Sequence, residues 1–242
     1  MSDIYLVRHG QAGTRDAYDT LSELGRRQSR LLGEYFVEQD IRFSRAYSGA
    51  MRRQRATAEQ VQTAYSTSRH SFPTIEIEER WNEFNLEHIY GELAPVLCAE
   101  DAEFRAQYES MRDDVRVSRG QDSATVHRRW LPCDTTIVNA WISGHHSFSG
   151  ESWGSFCARV GSCRERMNGD RAPGNVIVFT SAAPIGIWAG MALDIADNRV
   201  LRLAGVLHNA SYTVLRLRGS ELRLFSFNAV PHLNTPELRT HR

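Results

Sequence analysis

The chain opens on four consecutive apolar residues, Ile4, Tyr5, Leu6 and Val7, followed at once by Arg8 and His9. An apolar run of this length between polar residues reads as a strand buried on both faces, the usual state of a central strand in a parallel sheet. After a polar stretch, Ser22 stands as an N-cap before a stripe of Leu24, Gln28, Leu31, Leu32, Tyr35 and Phe36, which predicts a crossover helix. Residues 45–48 read as a short second strand broken by Gly49, residues 51–65 as a second helix, and residues 75–77 as a third strand. Residues 86–150 are the least regular part. One helix is expected there, over about 101–117, with Phe104, Tyr108, Met111 and Val115 on one face. Another helix starts at Gly150-Glu151-Ser152 and turns Trp153, Phe156, Val160 and Cys163 inward. Residues 176–179 repeat the fully apolar pattern of the first strand and lead through Pro184 into a helix with Ile185, Ile187, Trp188, Met191 and Leu193. Two alternating runs, 212–217 and 222–227, bracket Gly219-Ser220 and predict a hairpin, and the polar tail from Pro231 is expected to run along the surface.

Length fits this α/β pattern: 242 residues make one large domain or two small ones. A chain of that size buries roughly 70–75% of its unfolded surface. No linker or repeat divides it, so a single domain over 1–242 is expected. The glycine-containing polar segments within 86–150 mark an insertion over the carboxyl edge of the sheet, a lid that selects substrate and excludes water. Lys+Arg and Asp+Glu are equal at 29 each, which leaves no global field to recruit nucleic acid or an anionic membrane. No apolar run approaches the roughly 20 residues of a membrane span, so a cytoplasmic protein is expected. Cys98, Cys133, Cys157 and Cys163 are scattered, and His145-His146 lies on a Gly/Ser-rich loop, so neither a disulfide framework nor a metal site is expected.

Within that frame the candidate chemistry collects at strand ends. Ligands bind beyond the carboxyl ends of strands in open α/β sheets, where Arg8 and His9 stand. A guanidinium fork suits phosphate, and a neutral imidazole serves as nucleophile or base. Arg52, Arg53 and Arg55 open the second helix, where the macrodipole disfavours cations, and a bound anion gives that cluster a reason. Spacing does not say which arginine serves, nor which of Glu78, Glu79 and Glu83, leaving the third strand, would act as a proton donor. The turn from Thr180 to Pro184 forms a further anion-ready corner between a strand and a helix start.

Arg8-His9-Gly10 after the first strand, the run from Tyr47 to Ala58 before a helix, and Glu83 after the third strand together resemble the histidine phosphatase (phosphoglycerate mutase-like) superfamily. The resemblance implies a three-layer α/β/α sandwich with a mostly parallel central sheet and a metal-independent phosphatase without a cofactor. It makes His9 the transiently phosphorylated nucleophile, Arg8 and Arg53 the grips on the phosphoryl oxygens, and Glu83 the proton donor, kept protonated by burial beside Trp81. Where the superfamily carries a second histidine, this chain has Ser181, within Thr180-Ser181-Ala182-Ala183. Arg15 stands where a phosphate-contacting asparagine is frequent, and adds a cation. His208 and His232 are the candidates to stand in for the missing one, though packing or capping suits them better. The implied partner is a phosphorylated small molecule, with a phosphoprotein, a phosphoglycerate mutase-type transferase and a weakened phosphate-binding module as alternatives, and a homodimer left open.

Overall fold

The computed structural model describes residues 2–13, 18–66, 68, 70–117, 123–169, 174–196, 199–218 and 221–241. These divide into two compact units, residues 1–83 with 159–242 and residues 84–158.

The first unit holds a six-stranded sheet in the order β3-β2-β4-β1-β5-β6. Its strands are β1 (Ser2–Arg8), β2 (Phe43–Ser48), β3 (Ile75–Ile77), β4 (Asn175–Thr180), β5 (Tyr212–Arg218) and β6 (Glu221–Ala229). The pairs β1–β4, β2–β4 and β2–β3 are parallel, whereas β1–β5 and β5–β6 are antiparallel, so the sheet is mixed. The two fully apolar runs of the sequence, β1 and β4, are its central pair, in the register Ile4↔Val176 through Arg8↔Thr180. On one face Val7, Ile177, Phe179 and Val214 pack with Leu32 and Phe36 of α1 (Glu23–Glu38) and Ala58 and Val61 of α2 (Arg52–Ser66). Alternate residues Ile4, Leu6, Val176 and Val178 are equally buried. α7 (Ala182–Ala192), apolar along nearly its whole length, contacts β1, β5 and β6. Side chains that alternate across a strand must be covered on both faces, which is why the middles of the central strands, residues 4–7 and 176–179, carry no charged positions and the polar residues stand at their ends.

The approach of α1 to the end of β1 depends on glycine. A Cβ at Gly10 would lie 2.3 Å from the Gly25 carbonyl oxygen and 2.7 Å from Ser29 Oγ. The tail departs from its expected surface course: Leu233 and Leu238 are buried, and the fully buried Gln28 donates to Leu238 O and Thr240 Oγ1 while accepting from Gln11 N–H. Residues 238–240 thus brace the turn that follows His9.

The second unit contains α3 (Leu86–Glu100), α4 (Ala102–Val117) and α5 (Ser123–Ser143), and α6 (Trp153–Gly169) begins in it. The irregular segment expected at about 86–150 falls here, and it is more regular than its sequence suggests. Of these helices α4 and α6 were expected, and α3 and α5 were not. Ile89, Leu93 and Leu97 of α3 and Ile137 and Trp141 of α5 make buried stripes at four-residue spacing, while Pro95 and Pro132 lie inside the two helices. Trp141 anchors this core against Phe84, Trp153 and Phe156, and donates its Nε1–H to Glu151 O at 3.0 Å. Among the described residues no helix is long and apolar enough to cross a membrane. All four cysteines are free thiols, and burial pushes Cys163 up to about 12.

Candidate active site

β1 delivers its last residue and the one after it into a ring of backbone contacts. Arg8 N–H donates to Ser211 O, His9 N–H to Thr180 O, and Ala210 N–H to His9 O, all within 2.9–3.1 Å. Gly10 N–H donates to Thr57 Oγ1, whose hydroxyl donates to Arg53 O one turn earlier in α2. One threonine therefore ties the turn after His9 to the helix that carries Arg53.

His9 is 2% exposed, and its contacts settle its tautomer. Nδ1 lies 2.8 Å from Gly10 O, which can only accept, so Nδ1 carries the proton. Nε2 then holds a lone pair and accepts from Arg53 Nε at 3.2 Å. Burial, then the charges of Arg53 and Arg8, hold the imidazole well below its ordinary range, so it is neutral at physiological pH.

Arg8 and Arg53 are 5% and 4% exposed. Arg8 Nη1 donates to Leu207 O, and its Nε, also buried, has no protein partner among the described residues. An unpaired buried guanidinium nitrogen is costly, and an oxyanion is the group that satisfies it. Arg53 Nη1 pairs with Asp19 Oδ1 at 3.0 Å, and its guanidinium lies 4.9 Å from the Tyr18 ring centre. The other Asp19 oxygen takes Arg52 N–H at 3.1 Å. The anion at the start of α2 is thus a side chain of this chain, which answers the arginine cluster's conflict with the helix dipole. Arg52 and Arg55 are exposed, while Arg53 is the member turned toward His9.

Glu83 follows a tight turn, Glu79–Trp81, braced from below by Arg159, whose Nη1 lies 3.3, 2.9 and 3.2 Å from the carbonyl oxygens of Glu79, Arg80 and Asn82. Asn82 Oδ1 takes Ala50 N–H at 2.7 Å and joins this turn to the exit of β2. Trp81 is fully buried against Trp188. Glu83 itself is half-buried and accepts Ala183 N–H on Oε2 at 3.0 Å, at the positive end of the α7 dipole. Its charge is close enough to support that of Arg8.

Ser181 follows Thr180, the register partner of Arg8, and is 1% exposed. Its Oγ accepts from Gln54 Nε2 at 2.9 Å. The His208 ring lies against His241, tilted by 41°, and the His232 ring lies against Tyr35 and Tyr212. Arg15 lies outside the described residues.

Asp19, Gln54, Thr57 and Arg159 had no signal in the sequence beyond their polarity. Only Thr57, one helical turn after Arg53, stood on a face that spacing could have marked.

The model of the histidine phosphatase superfamily (branch 1) matches residues 4–143 and 134–230. The chain belongs to that superfamily. A mitochondrial serine/threonine-protein phosphatase Pgam5 of Caenorhabditis elegans is 26% identical over 153 residues, 62% of this chain and 52% of the relative. The match thus spans about half the length of that curated relative. Among solved structures, the chain is similar to Bacillus stearothermophilus YhfR, with TM-score 0.63, 16% identity, and coverage of 96% of this chain and 99% of the other. It is also similar to a phosphoserine phosphatase of Entamoeba histolytica solved with phosphoserine, with TM-score 0.61, 15% identity, and coverage of 96% and 100%. At these identities the structures report a shared fold.

Proposed function

We propose that this histidine phosphatase superfamily member is a metal-independent phosphomonoesterase working through a phosphohistidine on His9. The observation that carries the reading is the neutral His9 ring, its Nδ1–H tied to Gly10 O and its Nε2 lone pair directed at a buried arginine. Nucleophile and cation share one small space: Arg53 holds the Nε2 lone pair in the free site and releases it for attack when its N–H groups turn to the phosphoryl oxygens.

In the first half-reaction Nε2 attacks phosphorus while the ester P–O bond breaks. Its electron pair stays on the leaving oxygen, which takes the proton of Glu83. In the second, the Glu83 carboxylate removes a proton from water, the resulting hydroxide attacks phosphorus, and the P–N bond returns its electrons to His9. Arg8 and Arg53 meet the charge on the equatorial oxygens, with Ser181 and, on sequence grounds, Arg15 completing the set. A serine donor in place of a charged histidine gives about 0.5–1.5 rather than about 1.5–3 kcal/mol. That difference lowers the rate about five- to thirteenfold without abolishing it. The substrate class is a phosphorylated small molecule, its choice assigned to residues 86–150. The names of the relatives, a phosphoserine phosphatase and a protein phosphatase, make a phosphoprotein the alternative. A cytoplasmic location belongs to the same proposal and is checked by fractionation.

Ser181 favours a second reading, a phosphate-binding module with decayed catalysis. Purified protein and p-nitrophenyl phosphate separate the two. Turnover abolished by His9→Ala supports the phosphatase; tight binding of inorganic phosphate without turnover supports the module. Transfer of the phosphoryl group to an added alcohol in place of release would instead indicate a mutase-type activity.

A further inference from the structure

Ser181 is the N-cap of α7, yet its side chain makes no bond to the helix's own amides. A serine in that position ordinarily accepts one of the first free N–H groups. Here the Ala183 amide, at the second position of the helix, is taken by Glu83 from a hundred residues away. The hydroxyl is therefore released from capping.

Its orientation is set by Gln54, which is fully buried. Gln54 Nε2 lies 3.2 Å from Trp81 O and 2.9 Å from Ser181 Oγ, and Oε1 faces Met51 N–H at 3.4 Å. A carbonyl only accepts and a backbone N–H only donates, so both contacts fix the amide the same way round, with its NH₂ toward Ser181. Ser181 Oγ is then an acceptor toward Gln54, and its own proton must point elsewhere. The space for this amide is built in: a Cβ at Gly49 would lie 1.9 Å from Gln54 Oε1.

We propose that Gln54 is a positioning residue which turns the Ser181 hydroxyl outward as a donor to the phosphoryl group, so that the pair together forms part of the phosphate pocket. The proposal rests on the phosphatase reading given above. Ser181 sits beside His9, because Thr180 and Arg8 are paired in the sheet and His9 N–H bonds to Thr180 O. A hydroxyl held there with its lone pair already engaged donates without first breaking another bond, whereas a freely rotating one must be ordered on binding.

The test is vanadate affinity, read by calorimetry on the full chain, for the wild type, Ser181→Ala, Gln54→Met and the double variant, with thermal unfolding of each. Ser181→Ala and Gln54→Met are each expected to weaken vanadate binding about three- to tenfold, the worth of one neutral hydrogen bond. The double variant should be no weaker than the poorer single, because both remove the same donor. Ser181→Thr, which keeps the hydroxyl, should bind as the wild type does. Gln54→Met with unchanged vanadate affinity, or multiplicative losses in the double variant, would overturn the pairing while leaving the phosphatase reading intact. Should Gln54→Met fail to fold, Gln54→Leu and the Ser181→Ala against Ser181→Thr comparison carry the test, and equal affinities in Ser181→Ala and the wild type overturn it. A wild type that binds neither vanadate nor phosphate overturns both readings.

Discussion

Replacing Arg53 separates the two things its guanidinium does, supplying charge and supplying a directed N–H. Arg53 is nine-tenths buried, donates Nε–H to His9 Nε2 at 3.2 Å, and is the largest cause after burial of the depressed His9 pKa. Arg53→Met keeps the apolar stem and the burial but removes both contributions. One charge-assisted hydrogen bond is worth about 1.5–3 kcal/mol. With about 1.36 kcal/mol per factor of ten, its loss at the transferring phosphoryl group costs about 10- to 150-fold in kcat/KM. Removing the cation also lets the imidazole hold its proton to higher pH, so the acidic limb of the pH–kcat/KM profile should move upward in Arg53→Met. Arg53→Lys retains the cation but not the planar fork; its rate should fall about tenfold or more while its acidic limb stays near that of the wild type. Steady-state hydrolysis of p-nitrophenyl phosphate across the acidic range measures both. An Arg53→Met rate within about threefold of wild type, or an acidic limb that stays put, would refute the coupling of Arg53 to His9.

Asp19 holds Arg53 with a carboxylate that an incoming phosphate must displace or share, so Asp19→Asn should tighten inhibition by inorganic phosphate about three- to tenfold; weaker or equal inhibition contradicts the competition. Arg159→Met removes the brace beneath the turn that carries Glu83, and should slow hydrolysis of an alkyl phosphate about tenfold while sparing a dinitrophenyl phosphate, whose leaving group needs no proton. Equal losses on both substrates would place the effect elsewhere. His232 is buried and lowered to about 4 by desolvation. Its unfolded value is about 6.5, so between those limits the unfolded chain binds the extra proton and stability falls as the pH falls, by on the order of 3 kcal/mol in full. His232→Phe should flatten that slope in urea unfolding compared at pH values of about 7 and about 4.5, and an unchanged slope would show that the proton goes elsewhere.

The fold was legible wherever burial on both faces stripped a segment of polar residues. β1 and β4 declared themselves this way, as did the stripe of α1, because a central strand tolerates nothing else. In α3 and α5, Pro95 and Pro132 obscured stripes that Leu93 and Trp141 nonetheless carry. Packing inside the second unit holds those helices against a local preference that opposes them. At the site, Arg8 and His9 were legible because a strand exit is a place that sequence can mark. Choosing among Arg52, Arg53 and Arg55 took a resemblance, since all three carry the same charge and only burial separates them. Asp19, Gln54 and Arg159 were invisible for a different reason: each acts through a partner 33 or more residues away in the chain. A polar side chain on a helix or loop reads as solvated until the fold brings that partner to it.

His9 as nucleophile is tested most directly by chemical quench. Protein mixed with a ³²P-labelled phosphomonoester and stopped within milliseconds should carry an acid-labile, alkali-stable label that maps to the peptide containing His9. Glu83→Gln should accumulate more of it with an activated substrate, because the water attack is slowed, and His9→Ala should carry none. Turnover by the wild type with no label on His9 under any quench, or full turnover by His9→Ala, would contradict a phosphohistidine intermediate.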